Sequence, residues 1–158
     1  MKIAYIDAQN IHKWVQLLGR TIDWLKLKEY LEKKYDIDEV QIFFWYIAQY
    51  QKFYDMLKRN WYVLIFKEVS RNTQWEVKGN VDIDIAIKAM NDIIDGNLSE
   101  AYLFTTDVDY NSLIYEFRRR WIWKKLFVTS FDRTSKYLRK ATWSTIQPLS
   151  DLKHLIQK

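Results

Sequence analysis

The chain has 158 residues, nearly half of them apolar, and a formal net charge of +5 with a pI near 9.2. That is the size of one ordinary domain with enough apolar mass for a core, and it excludes a disordered chain. No apolar run approaches the roughly 20 residues of a membrane span. The chain contains no cysteine and two histidines, which excludes disulfides and thiolate metal sites and leaves oxygen ligands for any metal.

Lys2 to Asp7 is an apolar run closed by an acid and reads as a buried strand. An acid so early in the apolar stretch is not expected of a signal peptide, and a cytoplasmic protein with no membrane partner is the expectation. Leu25 to Tyr35 has apolar residues at helical spacing with charges between. Val40 to Ile47 is β-branched and aromatic and reads as a strand. Gln49 to Arg59 reads as a helix and Tyr62 to Val69 as a third strand. Ser70 to Lys78 is polar and reads as a loop. Asp82 to Ile94 carries Ile83, Ile87, Met90 and Ile94 at helical spacing. Ala101 to Thr106 is a fourth strand, Tyr110 to Arg120 a helix and Leu126 to Ser130 a fifth strand. Thr134 to Ala141 is a short helix, Thr145 to Gln147 a short extended piece and Asp151 to Lys158 a final helix. Strands alternating with helices predict an α/β domain, residues 1–158, with a mostly parallel central sheet of about five strands and helices on both faces.

The acids collect where such sheets bind ligands, at the carboxyl ends of strands. Asp7 ends the first strand, Asp107 and Asp109 follow the fourth, and Asp82 and Asp84 open a helix. An aspartate at a helix start is commonly an N-cap, which accounts for Asp82 or Asp109 taken singly. Asp7 is harder to account for, because a carboxylate closing an apolar strand costs desolvation unless it is paired or metal-bound. Several carboxylates in one crevice repel, and a hard divalent cation relieves the repulsion. His12 lies one turn past Asp7 and reads as surface or substrate-facing; His154 reads as incidental.

Four blocks carry a family resemblance. Ile6-Asp7-Ala8-Gln9-Asn10-Ile11 resembles the opening I-D-x-x-N-[IL] of the NYN domains, a PIN-like nuclease family. Lys78-Gly79-Asn80-Val81-Asp82 is similar to their K-G-x-V-D, and Thr105-Thr106-Asp107-Val108-Asp109-Tyr110 to their [ST]-G-D-x-D-[FY]. Ser135-Lys136-Tyr137-Leu138-Arg139-Lys140-Ala141 resembles their S-x-x-L-R-x-A helix. The blocks fall in the family's order. The resemblance implies a parallel sheet flanked by helices, an acidic site for Mg²⁺ or Mn²⁺, and cleavage of RNA phosphodiester bonds by metal-activated water. Carried across by motif, Asp7, Asp82, Asp107 and Asp109 are catalytic and metal-binding. Asn10, Thr105 and the extra acid Asp84 support them. Lys78, Arg118, Lys136 and Arg139 are candidates to hold the RNA backbone, although each also reads as a solvated charge. RNA is the expected partner, and a homodimer is left open. A non-catalytic RNA-binding or regulatory module on the same fold is the competing reading. A phosphatase-like or nucleotide-binding domain is disfavoured, because a Gly-rich phosphate loop is missing.

Two departures stand out. Thr106 occupies the family's Gly position, where a side chain is expected to tighten the turn and weaken the site. The chain also has 3 glycines and 8 tryptophans, where average usage gives roughly 11 glycines. Trp61 and Trp121 follow helices where a C′ glycine is favoured. A gene whose UGA codons specify glycine accounts for both. Trp14, Trp45, Trp61 and Trp121 would then be glycines, with Trp75, Trp123 and Trp143 as further candidates and Trp24 a true tryptophan. A Trp-rich natural or designed chain is the alternative.

Overall fold

The computed structural model describes residues 1–11, 21–67, 70–71, 77–78, 80–128, 134–142, 145–152 and 156–157. The chain runs β1 (Lys2–Asp7), β2 (Thr21–Ile22), α1 (Trp24–Tyr35), β3 (Glu39–Trp45), α2 (Gln51–Arg59), β4 (Val63–Lys67), β5 (Ser70–Arg71), β6 (Val77–Lys78) and α3 (Asp82–Ile94). It continues with β7 (Glu100–Phe104), α4 (Asn111–Arg119), β8 (Trp123–Val128), α5 (Lys136–Thr142), β9 (Ile146–Pro148) and β10 (Ile156–Gln157). Single 3₁₀ turns cover Ala48–Tyr50, Val108–Tyr110 and Leu149–Asp151.

The central sheet has six strands in the order β4-β3-β1-β7-β8-β9, and every pairing within it is parallel. Strand β1 lies in the middle, with Ile6 in register with Ile42 and Phe104. Its side chains alternate between two cores, as the period of two requires. Ala4 and Ile6 join α1 and α2 through Leu27, Leu31 and Leu57. Ile3 and Tyr5 join α3, α4 and α5 through Ile85, Phe117 and Leu138. Helices thus cover both faces, as expected. At about 25 cal/mol per Å² of apolar area these two cores supply the main driving force for folding.

Several sequence expectations are corrected. The sheet has a sixth strand, β9, because residues read only as a short extended piece pair with β8. Strand β8 starts at Trp123 rather than Leu126: Lys124 and Lys125 hid its start, and Lys124 meets Glu100 at 3.4 Å. The loop expected over 70–78 contains the antiparallel pair β5–β6. The expected final helix is not formed over its described residues. Asp151 ends a 3₁₀ turn, and Ile156–Gln157 pairs antiparallel with Thr21–Ile22. A helix that short is marginal in water, and strand pairing satisfies the same backbone groups. The outer parts of the expected strands, 68–69 and 129–130, lie outside the described residues.

Helix α3 is turned the other way from its most apolar stripe. Its buried residues are Ile85, Ala89 and Asp92, while Ile83, Ile87 and Ile94 are exposed. The buried Asp92 carboxylate explains the orientation. It accepts from the Tyr5 hydroxyl at 2.9 Å and from Gln41 Nε2 at 3.4 Å, and it pairs with Lys88. A carboxylate with those partners is satisfied only when it faces the sheet.

The tryptophans separate into two kinds. Trp24 packs edge-on against Phe53 and Tyr62. Trp123 donates from Nε1 to Thr145 Oγ1 at 2.8 Å and stacks on Phe117, so the structure counts against reading it as a glycine. Trp61 and Trp121 have φ of 62° and 61° and are 83% and 91% exposed. Trp45 Nε1 is buried with no partner among the described residues. Trp14, Trp75 and Trp143 lie outside the described residues.

Candidate metal centre

Asp7 is the last residue of β1 and is 2% exposed. The chain turns into a helical segment at Ala8, and Asp7 caps it: Oδ1 accepts from Gln9 N at 3.1 Å and Asn10 N at 3.3 Å. Oδ2 accepts from Asn10 Nδ2 at 2.6 Å and the Tyr110 hydroxyl at 3.3 Å. Burial pushes the Asp7 carboxyl up, against the pull of the bonds from Asn10, Tyr110 and Gln9.

Beside β1, β7 ends at Phe104 and delivers Thr105, Thr106 and Asp107 to the same end of the sheet. The Thr105 hydroxyl accepts from Asp107 N at 3.1 Å and from Asn10 Nδ2 at 3.3 Å. Thr106 donates to Asn10 Oδ1 at 2.9 Å. Thr106 has no left-handed φ, so the expected strain at the family's Gly position does not arise. Its side chain instead fixes Asn10, which fixes Asp7. Asp107 caps the 3₁₀ turn, accepting from Asp109 N at 2.9 Å.

Asp82 enters from the start of α3, with Asp84 two residues on. Asn80 donates to its carboxylate and accepts from its backbone N–H. The Tyr110 hydroxyl also lies close enough to Asp82 to lower its pKa, so one buried phenol faces acids from β1 and α3. Desolvation pushes the Asp82 carboxyl up to about 6; the Tyr110 hydroxyl opposes this, while Asp107 and Asp7 add to it. Burial and the two acids push the Tyr110 phenol far up, so it stays a donor.

Carboxylate oxygens of Asp82, Asp107 and Asp109 lie within 4.8 Å of one another. Asp7 stands outside that trio; Tyr110 bonds Asp7 and adjoins Asp82. Asp84 is turned aside into an ion pair with Lys67 at 2.7 Å. Of the basic residues, Lys136 is exposed at the first residue of α5, on the side of the sheet where β8 ends. Arg139 is half-buried one turn further along. Arg118 lies at the far end of α4 from Asp107 and donates to the Ala141 carbonyl at 2.7 Å. Lys78 lies in β6, where its backbone pairs with Ser70. His12 and His154 lie outside the described residues. Tyr110 and Asn80 were missed by sequence reasoning. The only signal for Tyr110 was the hydroxyl-bearing choice at an [FY] motif position.

The trio fits a hard divalent cation. Its donors are all carboxylate oxygens, and Asp82 Oδ1 is buried with no hydrogen-bond partner among the described residues. A parallel sheet flanked by helices, with acids from two segments meeting at its carboxyl end, puts the candidate site where α/β sheets bind ligands. The chain belongs to the NYN domain family, a PIN-like nuclease family, whose model matches residues 2–149. A solved structure of a protein of unknown function from Vibrio parahaemolyticus is similar in fold, with a TM-score of 0.75 at 17% identity over 95% of this chain and 93% of that one. No curated protein matches the sequence significantly. Among the described residues, no helix is long and apolar enough to cross a membrane.

Proposed function

We propose that this domain is a metal-dependent ribonuclease that hydrolyses RNA phosphodiester bonds. The observation that carries the reading is the meeting of Asp82 with Asp107 and Asp109, from separate segments, within 4.8 Å. Like charges at that spacing repel strongly unless a cation sits among them. Asp82, Asp107 and Asp109 would hold Mg²⁺ or Mn²⁺, with Asp7 as the buried anchor behind them. Once bound, the ion supplies Lewis-acid chemistry, making water a better nucleophile and neutralising charge on the scissile phosphate.

The protein's own part is positioning. Asn10 and Thr105 hold Asp7 and the Asp107 backbone. Tyr110 bonds Asp7 and adjoins Asp82. Lys136 and Arg139, on the side where β8 ends, and Lys78 before α3 are the proposed phosphate contacts. Arg118 is spent on Ala141 and faces away from this end.

Cleavage of an end-labelled single-stranded RNA with Mn²⁺ or Mg²⁺, against an EDTA control, tests the reading. Products with metal and none with EDTA are expected. RNA that is bound but uncut with every divalent ion replaces this reading with the non-catalytic binding module.

A further inference from the structure

Helix α3 carries two apolar faces and buries one. Val81, Ile85 and Ala89 are in the core. Ile83, Ile87 and Ile94 are 65%, 55% and 75% exposed, and Met90 lies between them, half-buried. Their spacing of four, three and four residues is that of a coiled-coil seam. Scattered exposed isoleucines are ordinary, but a continuous stripe along a helix marks a contact surface.

We propose that this stripe is a two-fold interface between two copies of the chain, with their α3 helices antiparallel. The stripe is its own complement when turned end for end. Ile83 then meets the partner's Ile94, and Ile87 meets the partner's Met90, so residue i contacts j and j contacts i as an isologous interface requires. A parallel pairing also matches apolar to apolar. It would, however, bring together two helix N-termini, each with Asp82 and Asp84, and align the helix dipoles unfavourably. The antiparallel pairing separates the two acidic sites and opposes the dipoles.

The charges beside the stripe do not oppose contact. Asp84 is paired with Lys67, and Lys88 with Asp92, inside each chain. The 13-residue helix is only about 20 Å long. Its seam therefore covers less than the roughly 800 Å² per partner of a standard interface. The dimer is of the weak class, so concentration decides how much of it forms.

Two measurements test this. In sedimentation, the wild-type mass rises with concentration from 19.4 kDa towards twice that value. Ile87→Lys, an exposed position, stays monomeric over the same range with an unchanged melting temperature. Because the chain has no cysteine, disulfide trapping reports orientation independently of that variant. Ile83→Cys mixed with Ile94→Cys cross-links under oxidation, while Ile83→Cys alone does not. A wild type that is monomeric at every concentration overturns the proposal. So does an Ile87→Lys chain that dimerises like wild type, or Ile83→Cys linking to itself in preference to Ile94→Cys.

Discussion

Tyr110 donates its hydroxyl to Asp7 Oδ2 at 3.3 Å across 103 residues of sequence, and the same phenol adjoins Asp82 and lowers its pKa. Two acids from unrelated segments thereby face one buried hydroxyl whose ring belongs to the core.

Tyr110→Phe tests that arrangement. The ring stays and only the hydroxyl goes, leaving a buried carboxylate with one donor fewer. A loss of about 1–2 kcal/mol is expected, seen as a melting temperature lower by a few degrees. The Tyr110 hydroxyl holds the Asp82 pKa down, so its removal moves Asp82 ionisation to higher pH, which NMR titration reads directly. A ring that merely fills space would leave that titration unchanged.

Asp107→Asn keeps shape and removes one charge from the trio. Mn²⁺ affinity and cleavage are expected to fall together by orders of magnitude, since the ion's chemistry is lost with the ion. RNA affinity is expected to survive because basic residues supply it. Metal-free stability is expected to hold or rise as repulsion eases. Equal cleavage by wild type and variant under the same Mn²⁺ concentration would show that Asp107 is no ligand.

The pH dependence of metal-free stability follows from Asp82. Its folded pKa is about 6 against an ordinary 3.8. Between those values the folded state binds more protons than the unfolded state, so stability falls as pH rises through that window. Below it both states are protonated, and above about 6 the penalty is complete. Asp7, also raised by burial, acts in the same sense. Thermal melts in EDTA should therefore give a higher melting temperature near pH 4.5 than near pH 7, apart from acid effects shared by all carboxylates. Asp82→Asn should flatten that difference. An unchanged profile in the variant would place the cause elsewhere.

Sequence made some of this legible and hid the rest for physical reasons. Asp7 was readable because a carboxylate ending an apolar strand needs partners, and Asn10 and Tyr110 are two of them. The face of α3 was not readable. The helix is apolar on two sides, and the choice rests on Asp92 meeting Tyr5 and Gln41, contacts 87 and 51 residues away. Thr106 looked like damage to a turn because glycine is judged by φ, and φ is set by a backbone that sequence does not display. The β10 pairing with β2 was hidden because it joins the two ends of the chain through two-residue strands.

The last prediction concerns Trp61 and Trp121, which occupy one place in two copies of the same turn. After α2, Tyr62 N donates to Leu57 O at 3.2 Å and Trp61 N to Lys58 O at 3.0 Å. After α4, Ile122 N donates to Phe117 O and Trp121 N to Arg118 O, both at 3.0 Å. These are Schellman closures, whose C′ residue must be left-handed. Helix α3 closes the same way, with Asn97 N to Asp92 O at 2.9 Å and Gly96 N to Ile93 O at 3.1 Å, and there the left-handed residue, at φ 70°, is glycine. A tryptophan at φ near 60° costs about 1 kcal/mol or more, and exposures of 83% and 91% return almost no packing. Trp61→Gly and Trp121→Gly are each expected to raise the melting temperature by about 2–4 °C, and at these distant sites the gains should add. Trp24→Gly and Trp123→Gly, which remove packed rings, should lower it. The codons bear on why the residues are there. UGA at both positions, in a cell that reads it as glycine, means the natural chain already carries the stabler residue; UGG at both ends that account and leaves the two substitutions as stabilising changes. Failure of either glycine variant to gain stability would show that the left-handed conformation costs tryptophan little at these turns.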